Sequence, residues 1–334
     1  MNLFLVTSPF QYICAEEALN TYKTEDNVLL LVNQASEPGI TQEKKLVTRE
    51  KWQHIIEIPR TNRSEHVPKS IKKIKSILQK NTLEHFFHAE YSAWRTKLIT
   101  KNLPINKEVY FDDGTLTINE YEELIRPRTP YFRPRFLQDI KVRFYGCQPI
   151  GKLEQSSNLE LFTIFNIKDS EHKVVKNDLS ILKERFTIRN LYNESSPIGF
   201  IGQGAIGHKR RKTIEQYISE LEFFINKHGK EIIYFPHRTE SEELKVRISQ
   251  LKGVKYHYSS LPLEAELLAE NIQLSGLVGI TSTVQFTSKI LFPEMPIYNL
   301  NSKNKVQDLT EQNQLRRERI RECFLALGIS DITI

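Results

Sequence analysis

Short apolar runs separated by stretches of helical spacing recur along both halves of the chain. Residues 2–7 read as a strand and 10–22 as a helix, with Ile13, Leu19 and the alanines on one side. The run VLLLV at 28–32 is apolar throughout, as in a strand covered on both faces. Residues 54–58 form another strand pattern and 70–79 another helix; 83–89 and 108–111 complete the set, with a helical stretch at 93–101 between them. Repeated strand–helix alternation predicts a doubly wound parallel sheet.

Residues 115 to about 190 are less regular. RPRTPYFRPRF (126–136) carries three prolines and four arginines, which disfavours a helix interior or a central strand. It reads as an irregular basic segment finishing the first domain. The polar stretch NLYNESSP (190–197) is the expected boundary. Strands then follow at 198–201, 231–235, 254–258, 275–280 and 296–300. Helices fall at 208–228, 242–251, 263–269 and 284–291, the first carrying Ile214, Tyr217, Ile218, Leu221, Phe224 and Ile225 on one face. A terminal helix at about 312–327 is basic on one side. Two successive α/β halves predict two Rossmann-like domains facing a central cleft, at 1–190 and 191–310. The segment 311–334 is free to pack back across them.

Composition narrows the partners. Forty-seven Lys and Arg against 41 Asp and Glu leave +6, too modest an excess for a nucleic-acid-coating protein and suited to anionic small molecules or an anionic membrane face. Cys14, Cys147 and Cys323 are far apart and show no metal-ligand spacing, as expected in a reducing compartment. The start MNLFLVTSPF lacks a basic region and a cleavage site, so it reads as a first buried strand. No apolar run approaches the roughly 20 residues that cross a membrane. A cytoplasmic protein is expected. The basic helix PKSIKKIKSILQK (68–80) reads as a docked surface helix with solvated lysines; contact with the inner membrane surface is its alternative.

Ligands of open parallel sheets bind beyond the carboxyl ends of the strands. Polar residues expected there are Thr7, Ser8 and Gln11; Asp112, Asp113 and Gly114; Gly202, Gln203 and Gly204; Pro236 and His237; and Thr281, Ser282 and Thr283. Each has an ordinary reading. Asp-Gly favours turns, but a second carboxylate adds little to a turn and raises its neighbour's pKa, as a general base requires. His237, between Pro236 and Arg238, suits a cationic, anion-facing role, with His208 and His257 as weaker competitors. The hydroxyls at 281–283 either cap a helix or bind phosphate, and the two roles are compatible. GQGAIG lacks full dinucleotide spacing, so its glycines read as points of close backbone approach to a ligand.

This constellation resembles bacterial sialyltransferases of the GT-B type, nearest to glycosyltransferase family 52 and the related polysialyltransferases. It carries an acidic pair with Gly (Asp112, Asp113, Gly114), a histidine (His237), a Ser/Thr motif (Ser282, Thr283) and a T-P-x-Q-like start (Thr7 to Gln11). Arg238 stands where that family usually has proline. The resemblance implies inverting, metal-independent and cofactor-free transfer of a nonulosonic acid from CMP to a glycan such as lipooligosaccharide or capsule. By the same resemblance, Asp113 in the acceptor-side domain is the base and His237 serves the departing phosphate. Thr281, Ser282 and Thr283 bind that phosphate, Glu264 grips the ribose, Gly202, Gln203, Pro236 and Arg238 attend the donor, and Thr7, Ser8, Gln11, Asp112 and Gly114 line the sugar pocket. A UDP- or GDP-sugar donor, or a non-enzymatic glycan- or nucleotide-binding protein, are the alternatives.

Overall fold

A computed structural model describes residues 1–186, 190–204, 206–208, 212–301 and 310–333. The chain divides into two compact units, Met1–Ile181 and Leu182–Ile334.

The strands of the first unit are β1 (Asn2–Val6), β2 (Asn27–Val32), β3 (His54–Ile58), β4 (Leu83–His88), β5 (Ile105–Phe111), β6 (Tyr131–Phe132), β7 (Lys152–Leu153), β8 (Leu159–Thr163) and β9 (Lys173–Lys176). Seven form one sheet in the order β3-β2-β1-β4-β5-β8-β9, every pair parallel, while β6 and β7 make a separate antiparallel pair. β1 and β2 are buried along their whole length, as continuous apolar runs require. Phe4 stacks on Phe87 with centroids 4.2 Å apart and meets Trp52 edge-on. The helix Arg63–Leu78 turns Val67, Ile71, Ile74 and Leu78 into this core and leaves its lysines outside.

The irregular reading of 115–190 is corrected. β8 and β9 extend the sheet by two parallel strands, and Phe136–Phe144 is helical. Glu160 in β8 had disguised that strand; it is buried but ion-paired to Lys107 of β5 at 2.9 Å and Lys173 of β9 at 3.2 Å. Those lysines hold its pKa below the usual value against the opposing effect of burial. A second charged cluster is fully enclosed: Glu108 accepts from His88 at 2.7 Å and faces Lys97 at 3.9 Å.

The second unit holds β10 (Ile198–Ile201), β11 (Ile232–Phe235), β12 (Val254–Tyr256), β13 (Gly276–Gly279), β14 (Ile297–Asn301) and β15 (Ser330–Thr333), all parallel in the order β12-β11-β10-β13-β14-β15. The helix expected from residue 208 begins at Ile214, where Thr213 and Gln216 form a capping box, and it ends on Gly229 at φ +63°. Residues 209–211 of that expectation lie outside the described residues. The terminal helix Glu311–Ala326 is followed by β15, which pairs with β14. Both sheets reverse strand order once, between β1 and β4 and between β10 and β13. Such switch points are where open α/β sheets take ligands.

Candidate active site

In the first unit the predicted residues converge on the switch point. Ser8 caps the helix Pro9–Thr21, its hydroxyl accepting from the Gln11 N–H at 3.3 Å. That first turn buries the Gln11 side chain between two partners: its Oε1 accepts from the Thr7 N–H at 2.8 Å, and its Nε2 donates to Asp113 Oδ1, also at 2.8 Å. The Thr7–Gln11 loop and the acidic pair are therefore one hydrogen-bonded assembly. Gly114 turns the chain at φ +66°, a conformation that favours glycine. The Asp113 N–H then donates to Thr117 Oγ1 at 3.1 Å.

The two aspartates have different environments. Asp112 is completely enclosed; its Oδ1 accepts from Thr163 Oγ1 at 2.6 Å and its Oδ2 from the Ile164 N–H at 2.7 Å. Burial pushes its pKa up to about 7 despite these bonds. The expectation that like-charge repulsion tunes the pair is corrected on this point, because desolvation is what raises Asp112. Asp113 remains partly accessible.

Sequence reasoning missed the rest of this rim. Thr7 Oγ1 donates to Glu90 Oε1 at 3.0 Å across the β1–β4 reversal, and Arg95 Nε lies 3.1 Å from the other Glu90 oxygen. The Thr7 carbonyl accepts from Gln34 Nε2 at 2.9 Å and from Arg60. Gln34, Arg60 and Glu90 each lie two residues beyond a strand of this sheet, and that position was the signal available for finding them.

In the second unit Gly202 follows β10, and its N–H donates to the Phe235 carbonyl at 2.7 Å. A Cβ there would lie 2.6 Å from Tyr234 Oη and 2.8 Å from the His237 nitrogen; at Gly204 it would lie 2.7 Å from His237 Cε1. These glycines admit the histidine loop, whereas a ligand was expected to approach them. Ala205 of the motif lies outside the described residues. Gln203 is half-buried between the two glycines.

His237 follows β11 and Pro236. Its Nδ1 accepts from the Thr239 N–H at 3.1 Å and lies 2.8 Å from Thr239 Oγ1, which places the neutral ring's proton on Nε2. Desolvation lowers its pKa, and the charge of exposed Arg238 adds to the effect. Without an anion beside it the ring therefore leans toward its neutral form, with Nε2 as the nitrogen left to donate. Glu240 anchors the loop by accepting from Tyr234 and Tyr256, each at 2.7 Å. Of the competitors, His257 pairs with Glu266 at 2.9 Å and His208 is exposed.

Past β13, Thr281 sits at φ +52°, a strained backbone for a β-branched residue, and its N–H donates to Asn299 Oδ1 at 2.9 Å. Asn299 Nδ2 in turn reaches Asp331 at 3.0 Å, and Arg321 Nε donates to Asp331 at 2.6 Å. Ser282 caps the helix Thr283–Leu291: its hydroxyl accepts from the Val284 N–H at 3.3 Å and its N–H donates to Gln285 Oε1 at 2.7 Å. Thr283 opens that helix. Glu264 is buried 3.5 Å from Thr287 Oγ1, and desolvation raises its pKa to about 7. Because β10 lies between β11 and β13, the residues past these strands share one sheet edge.

Two doubly wound parallel units in tandem define the GT-B class. Solved structures share the fold: a sialyltransferase from Photobacterium damsela (TM-score 0.51, 13% identity, covering 100% of this chain and 81% of that one), an alpha/beta-galactoside alpha-2,3-sialyltransferase from the luminous marine bacterium Photobacterium phosphoreum (0.51, 12%, 99% and 97%), and a UDP-GlcNAc 2-epimerase from Methanocaldococcus jannaschii (0.50, 14%, 100% and 89%). Residues 2–300 match the alpha-2,8-polysialyltransferase (POLYST) family, and the chain belongs to it. It is a sialyltransferase-like glycosyltransferase, of a family that implies a nucleotide-sugar donor and a glycan acceptor. No curated protein matches the sequence significantly.

Proposed function

We propose that the chain transfers a nonulosonic acid, sialic acid or a relative, from its CMP donor to a hydroxyl of a bacterial surface glycan, lipooligosaccharide or capsule. The reaction inverts the anomeric centre and needs neither metal nor cofactor. The observation that carries this reading is the division of labour between the aspartates. Asp112 is wholly enclosed, with both oxygens committed to Thr163 and Ile164, while Asp113 is only half-buried, its Oδ1 accepting from Gln11. One base beside one buried strut suits deprotonation of an acceptor hydroxyl better than it suits a shared cation.

In this reading Asp113 takes the proton as the acceptor oxygen attacks the anomeric carbon on the face opposite CMP. Thr7, Ser8, Gln11 and Gly114 line the sugar pocket, with Asp112 holding the loop. The neutral Nε2–H of His237 donates to the departing phosphate. Thr281, Thr283 and the amides at the start of the helix Thr283–Leu291 add hydrogen bonds and the positive end of its dipole. Ser282, already used as a cap, acts by orienting that terminus. Gly202, Gln203, Pro236 and Arg238 frame the nucleotide, and Glu264 takes the ribose hydroxyls. The active protein works on the cytoplasmic side. None of its three cysteines forms a disulfide, which fits a reducing compartment, and no helix among the described residues is long and apolar enough to cross a membrane.

The test is incubation with CMP-sialic acid, following CMP release with and without acceptor glycan and with chelator. Acceptor-dependent release that chelator leaves unchanged is the expected result. A thermal-shift panel identifies the nucleotide, since ligands that bind the native state raise its melting temperature. A larger shift with UDP or GDP than with CMP would transfer the assignment to another donor. Binding with no release under any condition would reduce the protein to a nucleotide-binding module.

A further inference from the structure

The helix Phe136–Phe144 is inverted relative to an ordinary surface helix. Its buried residue is Val142, which joins the core beside Val67, Ile71 and Ile74. Phe136 and Leu137 are each 81% exposed, Ile140 66% and Phe144 85%, and Phe132 just upstream is 64% exposed. On a helix of about 3.6 residues per turn the four exposed helical residues fall within an arc of about 100°. Lys141 flanks that arc on one side and Arg143 on the other, both exposed, with Val142 on the far side. Isolated exposed apolar residues are normal on a protein surface, but a contiguous group of large ones marks a contact surface.

The surrounding charge says what makes that contact. Arg133, Arg135, Lys141 and Arg143 accompany the stripe against one acid, Asp139. Beside it lies a groove of about 410 Å³ lined by Lys69, Lys72, Lys75, Phe144 and Tyr145. These lysines come from the helix Arg63–Leu78, on which the stripe-bearing helix packs. Lys69 is shared with Glu65 at 2.6 Å; Lys72 and Lys75 are exposed.

We propose that Phe136–Phe144 is an interfacial anchor that seats the first unit on an anionic lipid bilayer. Phe136, Leu137, Ile140 and Phe144 enter the boundary between headgroups and acyl chains, while Lys141, Arg143 and the lysine groove engage lipid phosphates. An apolar stripe with basic flanks is the arrangement that lies in a membrane interface. Charge complementarity favours this occupant over a second copy of the chain, which would bring the same basic flanks against themselves. The proposal does not depend on the transfer activity.

Flotation of the full chain with vesicles tests it. Wild-type protein is expected to float with vesicles containing phosphatidylglycerol, to bind pure phosphatidylcholine far more weakly, and to detach as salt rises. Replacing Phe136, Leu137 and Phe144 by serine is expected to lower vesicle binding by at least about tenfold. The unfolding midpoint should not change, because all three side chains face solvent. Lys141→Glu with Arg143→Glu, also at unchanged midpoint, should remove the preference for phosphatidylglycerol. Equal binding by wild type and the serine variant, or no binding by wild type, would overturn the anchor. So would sedimentation showing a wild-type dimer that the serine variant dissociates without any vesicle binding.

Discussion

A carboxylate whose oxygens both accept short hydrogen bonds inside the protein serves the fold, and Asp112 is such a group. Burial raises its pKa to about 7 in the folded chain, against an ordinary value of 3.8, so it is protonated below that. Unfolding therefore releases a proton across that window, so stability falls as pH rises through it and levels off above. Glu264, raised to about 7 by the same cause, adds to the slope. Asp112→Asn should flatten the decline in denaturant midpoint between about pH 4 and 7; an unchanged slope would show that the carboxyl is not protonated in the folded chain. At this scale the sequence showed the acidic pair, the histidine and the hydroxyls, because each follows an apolar strand. It concealed which aspartate is accessible, since that depends on Thr163 and Ile164, some fifty residues away. It concealed the surroundings of His237 for a similar reason: the Thr239 bond and burial, which lowers its pKa, depend on the folded loop.

Among elements, the cap at the start of the helix Thr283–Leu291 carries two duties that substitution can separate. Ser282→Ala removes the acceptor for Val284 N–H and should cost about 0.5–2 kcal/mol of stability. Ser282→Asp preserves a cap, so the unfolding midpoint should hold. It also sets a negative charge where the donor phosphate is proposed to sit, so CMP affinity should fall by about tenfold or more. Calorimetric titration beside thermal unfolding reads both effects, and unaltered CMP affinity in the Asp variant would move the phosphate elsewhere. Most strands and helices were legible from periodicity, including Leu263–Ala269 to the residue. The elements missed include the strands β6, β7, β8, β9 and β15 and the helices Gly39–Leu46 and Phe136–Phe144. In β8 a glutamate interrupts the apolar run and is neutralised only by lysines on neighbouring strands. In β9 and β15, at sheet edges, one side of the ladder is enough and the residues stay partly polar and exposed.

At the scale of the molecule, each unit carries its own parallel sheet, its own hydrophobic core and its own switch point. Tandem α/β alternation made the class readable from sequence. The membrane-facing character assigned to Phe136–Phe144 was not, because the prolines and arginines just upstream of it, at 126–135, read as irregular loop and its apolar residues point outward only once Val142 is fixed in the core. The function proposed for the whole rests on the first unit providing the base and the second the phosphate ligands. The most direct measurement is the rate of sialic acid transfer from the CMP donor by wild type, Asp112→Asn and Asp113→Asn, with CMP binding recorded in parallel. Asp113→Asn is expected to lose about 10²–10⁴-fold in rate while still binding CMP, whereas Asp112→Asn retains most of its activity. Wild-type turnover in Asp113→Asn would contradict the proposed function.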